Sequence, residues 1–330
     1  MTKVEQLLME KNPSAPKVLD CKICEQSFRS ERSLHGHLKK HKTSIAEYYC
    51  NFFPRIDLWD QSPIPFKNKN DYFLRDFVNF DNLRLWCLHQ PKDIVSKYIL
   101  ELLERRVEEK KLEFAPSSIE LASLNLPSID MYKYFFGSYT DACEKINCKP
   151  LYPNPIPKNF FKPNEKMKEV AIFVDTREQN PLEFKKTKNK KLDFGDYTVG
   201  GDLYSYTYVD RKSESDFRGT FGGGIERFKK ELDRAKQFES FLYVVVECSM
   251  KDIESNNHYS SNIPYIHHNI REIIHKYPKT CQFLFTGNRE NSEEIIPKLL
   301  TYGDKIWGCD LQYHFDKFHS NDSKGSEQNQ

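Results

Sequence analysis

With 330 residues, a formal net charge of +2 and a mean hydropathy of −0.72, the chain is long enough for more than one folded unit and too polar for a membrane protein. A hydrophobic fraction of 38%, including 14% aromatics, supplies sizeable cores, and so small a net charge moves any phosphate affinity into local basic clusters. No signal-peptide core and no run approaching roughly 20 apolar residues is present, so an intracellular, non-membrane location is expected.

Residues 1–17 are polar and end in Pro-Ser-Ala-Pro, which reads as a flexible leader. Residues 18–43 carry paired Cys and His. Residues 44–112 are rich in Phe, Tyr, Trp and Leu, and Ile94, Tyr98, Leu102 and Arg105 follow helical spacing. Within 113–152, Met131, Tyr134 and Phe135 fit a helix that Gly137 ends, and a second helix can start at Ser138. Pro153, Pro155, Pro157 and Pro163 suppress helix over 153–168, where a linker and the main domain boundary are expected. From 169 to 318, apolar runs such as VAIFVD, FLYVVVE and CQFLFT alternate with helical segments near Tyr265–Tyr277 and Glu293–Thr301, which specifies an α/β domain with a mixed sheet and flanking helices. Residues 319–330 read as a disordered tail.

Cys21, Cys24, His37 and His41 stand at C-x2-C-x12-H-x3-H, which puts two thiolates on a turn and two imidazoles on one helix face, a tetrahedral set for structural Zn2+. Phe28 and Leu34 supply the apolar interior of so short a unit, which cannot bury enough surface without metal. The segment resembles the two-Cys two-His zinc fingers, which implies a ββα fold. Docked in a major groove as such fingers commonly are, it would bring Ser30, Ser33 and Gly36 towards bases with Arg29 and Arg32 nearby, and Lys39 and Lys40 are further phosphate-seeking side chains. A protein contact or a purely structural role stays open beside DNA docking. The nine cysteines are an odd number, and Cys143 and Cys148 have no neighbouring His or Cys pair to complete a second site.

In the second half, Asp175, Arg177 and Glu178 stand at the end of an expected strand, and thirteen residues separate Asp196 from Asp210, about enough for a hairpin that sets one carboxylate beside the other. Asp210 and Lys212 are two apart on extended backbone and share a face. Carboxylates that hold Mg2+ or Mn2+, with a lysine that neutralises developing charge, suit phosphodiester hydrolysis.

Gly195, Asp196, Asp210, Arg211, Lys212 and Asp216 resemble the XPF nuclease signature of Gly-Asp, a spacer, then Glu-Arg-Lys-x-x-x-Asp, with Asp210 in place of the usual glutamate, and Val174, Asp175, Arg177 and Glu178 match its upstream element. The resemblance spans about 170–308. It implies a restriction-endonuclease-like fold of the PD-(D/E)XK kind and an Mg-dependent endodeoxyribonuclease. By it, Asp196 and Asp210 are the principal metal ligands, Asp175 is a further acidic contributor, Glu178 is a supporting one and Lys212 is the catalytic lysine. Arg211 and Arg177 would organise the site or grip phosphate, and Asp216 would partner a basic group. Dimerisation through this domain is also implied. Lys185, Lys186, Lys188, Lys190 and Lys191 form a basic loop that either contacts phosphate or is simply solvated.

YFFGSYTDACEKINCKP resembles the short helical repeat associated with homing endonucleases, which implies DNA contact by the middle region. The fullest expectation is a site-preferring double-strand DNA endonuclease of phage or mobile-element type, acting in a bacterial cytoplasm if phage-encoded and in a nucleus if eukaryotic. A branched-DNA repair or recombination nuclease and a DNA-binding regulator with an inactive nuclease fold are the alternatives.

Overall fold

The computed structural model describes residues 19–66, 75–199, 206–255 and 261–327. The expected leader, 1–17, lies outside them. The helices in chain order are α1 (Glu31–Leu38), α2 (Ile45–Phe52), α3 (Phe80–His89), α4 (Lys92–Lys110), α5 (Ser118–Ser123), α6 (Ile129–Phe136), α7 (Tyr139–Lys145), α8 (Glu165–Lys168), α9 (Glu214–Gly222), α10 (Ile225–Gln237), α11 (Met250–Ser255), α12 (Ile263–Lys276), α13 (Arg289–Tyr302) and α14 (Leu311–Glu327). The strands are β1 (Ile172–Asp175), β2 (Thr187–Lys190), β3 (Tyr197–Val199), β4 (Thr207–Lys212), β5 (Phe241–Val246) and β6 (Cys281–Phe285). The chain divides into two compact units, one of Met1–Glu109 with Leu124–Ile146, the other of Lys110–Ser123 with Asn147–Gln330.

In the first unit the expected hairpin of the finger is reduced to one antiparallel bridge, Asp20 to Ser27, and Ser30 caps α1 by accepting from the Ser33 N–H. Leu34 and Leu38 of α1 are buried with Cys21 against Tyr48 and Tyr49 of α2, and Phe28 packs at the edge of that cluster. The finger therefore does not end at its last histidine. The Tyr48 hydroxyl accepts from the Lys22 N–H at 2.9 Å, which ties α2 to the cysteine turn. Ser44 and Glu47 form a reciprocal capping box that starts α2. Further along, buried Arg55 pairs with Asp76, whose other oxygen accepts from the Tyr98 hydroxyl at 2.9 Å. The α6–α7 pair follows the sequence reading. Gly137 ends α6 at φ +90°, and Ser138 caps α7 by accepting from the Asp141 N–H.

The second unit is built on one six-stranded mixed sheet in the order β2-β1-β3-β4-β5-β6. β3 runs antiparallel to β1 and β4, and the other neighbours are parallel. Strand alternation supplies two cores. Tyr208, Leu242, Val244, Val246 and Phe283 face the layer of α9, α10 and α12, whereas Val209, Tyr243, Val245 and Leu284 face the layer of α13 and α14.

Three segments behave differently from the sequence reading. The basic stretch expected as a loop contains an edge strand, because Thr187–Lys190 pairs in parallel with β1 while all four of its residues stay exposed. The proline-rich stretch packs within the second unit: Phe160 and Phe161 are buried against α13 and α14, the Asn154 N–H donates to Gly308, and the Lys298 ammonium donates to the Phe161 carbonyl. Prolines that forbid helix permit an extended strap held by side chains. The expected tail is helical as far as Glu327, in α14.

The segment 110–123 is also held by this unit. Fully buried Glu120 lies 2.6 Å from His275 Nε2, Ser118 donates to Asp310, and Arg271 donates to Ser123. Replacing Glu120 by Ala removes a buried partner and is expected to destabilise the second unit by about 1–3 kcal/mol in denaturant unfolding, whereas an unchanged midpoint would show that the α5 contacts contribute nothing.

Candidate functional site

The pleat of β4 sorts its last residues onto opposite faces. Asp210 and Lys212 follow Tyr208 onto the α10 side, and Arg211 follows Val209 onto the α13 side. Lys212 Nζ lies 3.1 Å from Asp210 Oδ1 and 2.9 Å from Oδ2, and it also stands 5.4 Å from the centre of the Phe228 ring of α10. Asp210 is 6% exposed, and its Oδ2 has no hydrogen bond of good geometry despite the nearby ammonium. Burial alone would lower the Lys212 pKa, but Asp210 and Asp196 outweigh it and hold the lysine charged.

Asp196 reaches Asp210 through the antiparallel β3–β4 pair. Its N–H donates to the Val209 carbonyl at 2.7 Å, and its carboxylate accepts from the Arg211 N–H at 2.8 Å. Gly195 precedes it at φ +67°, and a Cβ there would stand 2.9 Å from the Val209 carbonyl oxygen, so only glycine lets the turn close onto β4. Burial, then the Asp210 charge, pushes the Asp196 pKa well above the usual carboxylate range. A third carboxylate that sequence reading did not single out, Glu231 of α10, accepts from the Gly195 N–H at 2.9 Å and is likewise raised by burial and by Asp210. Its only sequence signal is one more Glu on a strongly amphipathic helix.

Asp175, at the end of β1, is nearly fully buried and directs both oxygens inward: Oδ1 accepts from the Arg177 N–H and Nε at 2.7 Å each, and Oδ2 accepts from Arg177 NH2 at 2.9 Å and the Leu192 N–H at 2.7 Å. Burial would raise its pKa, yet these donors lower it. The Asp175 bond chiefly pushes the Arg177 guanidinium pKa further up, with the Asp175, Glu231 and Asp196 charges adding to it, and its side chain stays 61% exposed. On the other face, Arg211 is bracketed by two carboxylates, Glu178 at 3.0 Å and Glu247 at 2.9 Å. Arg289 at the start of α13 continues this network, 3.8 Å from Glu247 and 3.5 Å from Glu293, and it donates to the Pro181 carbonyl at 2.6 Å. Glu247 and Arg289 were not among the sequence candidates. Both follow strand-end positions that only the register of β5 and β6 brings near Arg211. Asp216 bonds the Ser213 hydroxyl at the start of α9 instead of a basic group.

In the first unit, the ligand atoms of Cys21, Cys24, His37 and His41 all lie within 4.8 Å of one another. Cys24 Sγ is 3.2 Å from His37 Nε2, which is 2.9 Å from His41 Nε2. Two sulfurs and two imidazole nitrogens converging at this spacing fit a tetrahedral Zn2+ with bonds of about 2.0–2.3 Å. Arg29, Arg32, Ser30, Ser33, Gly36, Lys39 and Lys40 are exposed, but the Ser30 and Ser33 hydroxyls bond each other at 2.9 Å. Of the lysines along β2, Lys185 and Lys186 both pair with Glu169, which they lower to about 2, while Lys188 is exposed and Lys190 stands 5.1 Å from the Phe173 ring centre.

No family model matches the chain, and no curated protein matches it. Among solved structures, it is similar to XPF from Aeropyrum pernix, at a TM-score of 0.33 and 18% identity over 41% of this chain and 67% of that one. It is similar to the same protein in complex with DNA at a TM-score of 0.33 and 18% identity, over 42% of this chain and 66% of that one.

The raised carboxylates set a pH dependence. Asp196 and Glu231 bind protons more tightly in the folded protein than at their ordinary values of 3.8 and 4.5, so without a cation their contribution to stability is present below those values and is lost as pH rises towards the shifted ones. A divalent cation held by Asp196 and Asp210 would take the place of the Asp196 proton. The melting temperature of the second unit should therefore fall as pH rises above the ordinary carboxylate range in protein without added magnesium and recover in part when magnesium is supplied, whereas a magnesium-insensitive profile would show that Asp196 does not bind it.

Proposed function

We propose that the protein is a metal-dependent DNA endonuclease whose second unit, a restriction-endonuclease-like domain, hydrolyses phosphodiester bonds. The observation that carries this reading is the meeting of Asp196 and Asp210 on one face of the sheet, beside a buried charged lysine, with Asp210 Oδ2 left without a hydrogen bond. Two adjacent carboxylates of which one resists ionisation, with a buried Asp210 oxygen that has an ammonium beside it but no hydrogen bond of good geometry, form a donor set that a hard divalent cation would satisfy. Asp196 and Asp210 would hold it. Bound there, Mg2+ or Mn2+ supplies polarisation of a phosphate oxygen and of the attacking water.

The chain's own groups supply the rest. Lys212, fixed by Asp210, keeps a positive charge where negative charge develops on the phosphate. Arg177 is anchored through Asp175, yet most of its side chain is open to solvent, so it can grip a neighbouring phosphate while Asp175 aims it. Asp175 thereby acts through Arg177, and Glu178 acts through Arg211, whose guanidinium it fixes. In the first unit the zinc-loaded finger offers Arg29, Arg32, Lys39 and Lys40 to the DNA backbone, with Lys188 available on the second. Together with the α6–α7 pair, the finger favours the finer reading of a site-preferring enzyme of phage or mobile-element type, and a homodimer through the nuclease domain is proposed only as what the sequence resemblance implies.

A second reading, a DNA-binding protein with an inactive nuclease-like site, is favoured by two observations: among the described residues, the Cys/His set is the only group of three or more such side chains placed to hold a metal ion, and both Asp175 oxygens are already bonded. Cleavage separates the two. Supercoiled DNA should be nicked and linearised with magnesium or manganese. Asp210→Ala should abolish this, and Lys212→Ala should slow single-turnover cutting by roughly a hundredfold or more with DNA affinity nearly intact. Absence of cutting by the unaltered protein in either metal would favour the inactive reading.

Cys21→Ser with Cys24→Ser should release zinc and unfold the finger while the second unit stays folded. If the finger selects sites, sequenced cleavage ends should spread over the DNA pool and binding should become more salt-sensitive. An identical end distribution would reject the selecting role.

A further inference from the structure

The Gly195–Asp196 turn poses a problem that the strands alone do not solve. Gly195 adopts a left-handed conformation hard against β4, and its N–H is directed away from the β3–β4 ladder, where a buried amide needs an acceptor. That acceptor comes from outside the sheet: Glu231 Oε1, at 2.9 Å. The carboxylate is carried by α10, whose Ile225, Phe228, Leu232 and Ala235 are buried in the core on the Asp210 side, so its position is set by helix packing and not by loop geometry. One residue after the pinned amide, Asp196 donates to Val209 and accepts from Arg211, which leaves its carboxylate little freedom of its own.

We propose that Glu231 is a positioning residue, whose bond to the Gly195 amide fixes where the Asp196 carboxylate stands against Asp210. The inference rests on the reading of Asp196 and Asp210 as the cation-holding pair. It assigns Glu231 a role through hydrogen-bond acceptance, so charge is not what matters. A displacement of about 1 Å at a cation ligand is enough to cost a large factor in rate, which is why a helix-borne anchor for this turn has consequence.

Two substitutions separate acceptance from charge. Glu231→Gln retains an oxygen acceptor and loses the charge, and Glu231→Ala loses both. In the metal-free full-length protein, hydrogen exchange at the Gly195 and Asp196 amides should be as slow in Glu231→Gln as in the unaltered protein and clearly faster in Glu231→Ala. In cleavage, Glu231→Gln should stay within about threefold of the unaltered rate, whereas Glu231→Ala should lose about tenfold or more and need higher magnesium for half-maximal rate, with Lys212-dependent cutting otherwise intact. Equal impairment of Glu231→Gln and Glu231→Ala would overturn the proposal in favour of a role for the charge, and unchanged exchange in Glu231→Ala would overturn it outright. Failure of the unaltered protein to cut DNA would strike the nuclease reading alone, because the exchange measurement judges the turn without any reaction.

Discussion

Asp196 is the knot of the second unit. Its carbonyl accepts from the Asp175 N–H at 2.8 Å, its own N–H donates to Val209, and its carboxylate accepts from the Arg211 N–H, so one residue binds the ends of β1, β3 and β4 to each other. Asp175, Arg177, Asp210, Arg211 and Lys212 all leave the sheet within a few residues of that knot. The arrangement is costly in isolation, because two carboxylates brought together in a buried place repel each other and lose water. Lys212 offsets part of the cost on the spot, and the remainder is a standing preference of Asp196 for a proton.

The pleat divides labour between the two faces of one strand. On the α10 side, Asp210 Oδ2 has the Lys212 ammonium beside it but no hydrogen bond of good geometry, and Asp196 and Glu231 resist ionisation. On the α13 side the ionic network is denser, with Arg211 between Glu178 and Glu247, and with Arg289 reaching both Glu247 and the carbonyl of Pro181, although Arg211 Nε and Glu247 Oε1 are likewise without a hydrogen bond. A guanidinium held by two carboxylates resists displacement more than one held by a single partner, and removal of either leaves a buried charge poorly compensated. The second face thus acts as a rigid back for the first, and the same strand end serves both by alternation.

What the sequence disclosed and what it hid follow a physical line. Apart from β2, which was expected as a loop, the strands from Val170 to Tyr302 were legible because periodicity is local: β5 and β6 are unbroken apolar runs, and earlier in the chain Gly137 and Ser138 announce a helix end and a helix start in adjacent residues. The proximity of Asp196 and Asp210 was legible too, since thirteen intervening residues can hardly do otherwise than form a hairpin. Glu231, Glu247 and Arg289 were not, because each reaches the site by packing or register over dozens of residues, and nothing in a solitary Glu or Arg records that journey. The proline-rich stretch misled for a related reason. Proline reports what the backbone cannot do, and a strap pinned by Lys298 and Gly308 looks in one dimension like a free linker. The Cys21, Cys24, His37 and His41 set was plain from spacing alone, whereas the burial of Cys21, Leu34 and Leu38 against α2 needed the fold.

The edge strand β2 carries a further consequence for how copies of this protein meet. A strand bonded on one side only offers its other side to any similar edge, and open edges are where sheets of separate molecules fuse. Here the exposed edge is Thr187–Lys190, flanked by Lys185, Lys186 and Lys191, so two such edges brought together would align rows of ammonium groups a few ångströms apart. Glu169 neutralises only the first part of that row, by pairing with Lys185 and Lys186. The lysines therefore act as a guard against sheet-to-sheet fusion and the aggregates that follow from it, and a polyanion that covered them would lift the guard along with the charge.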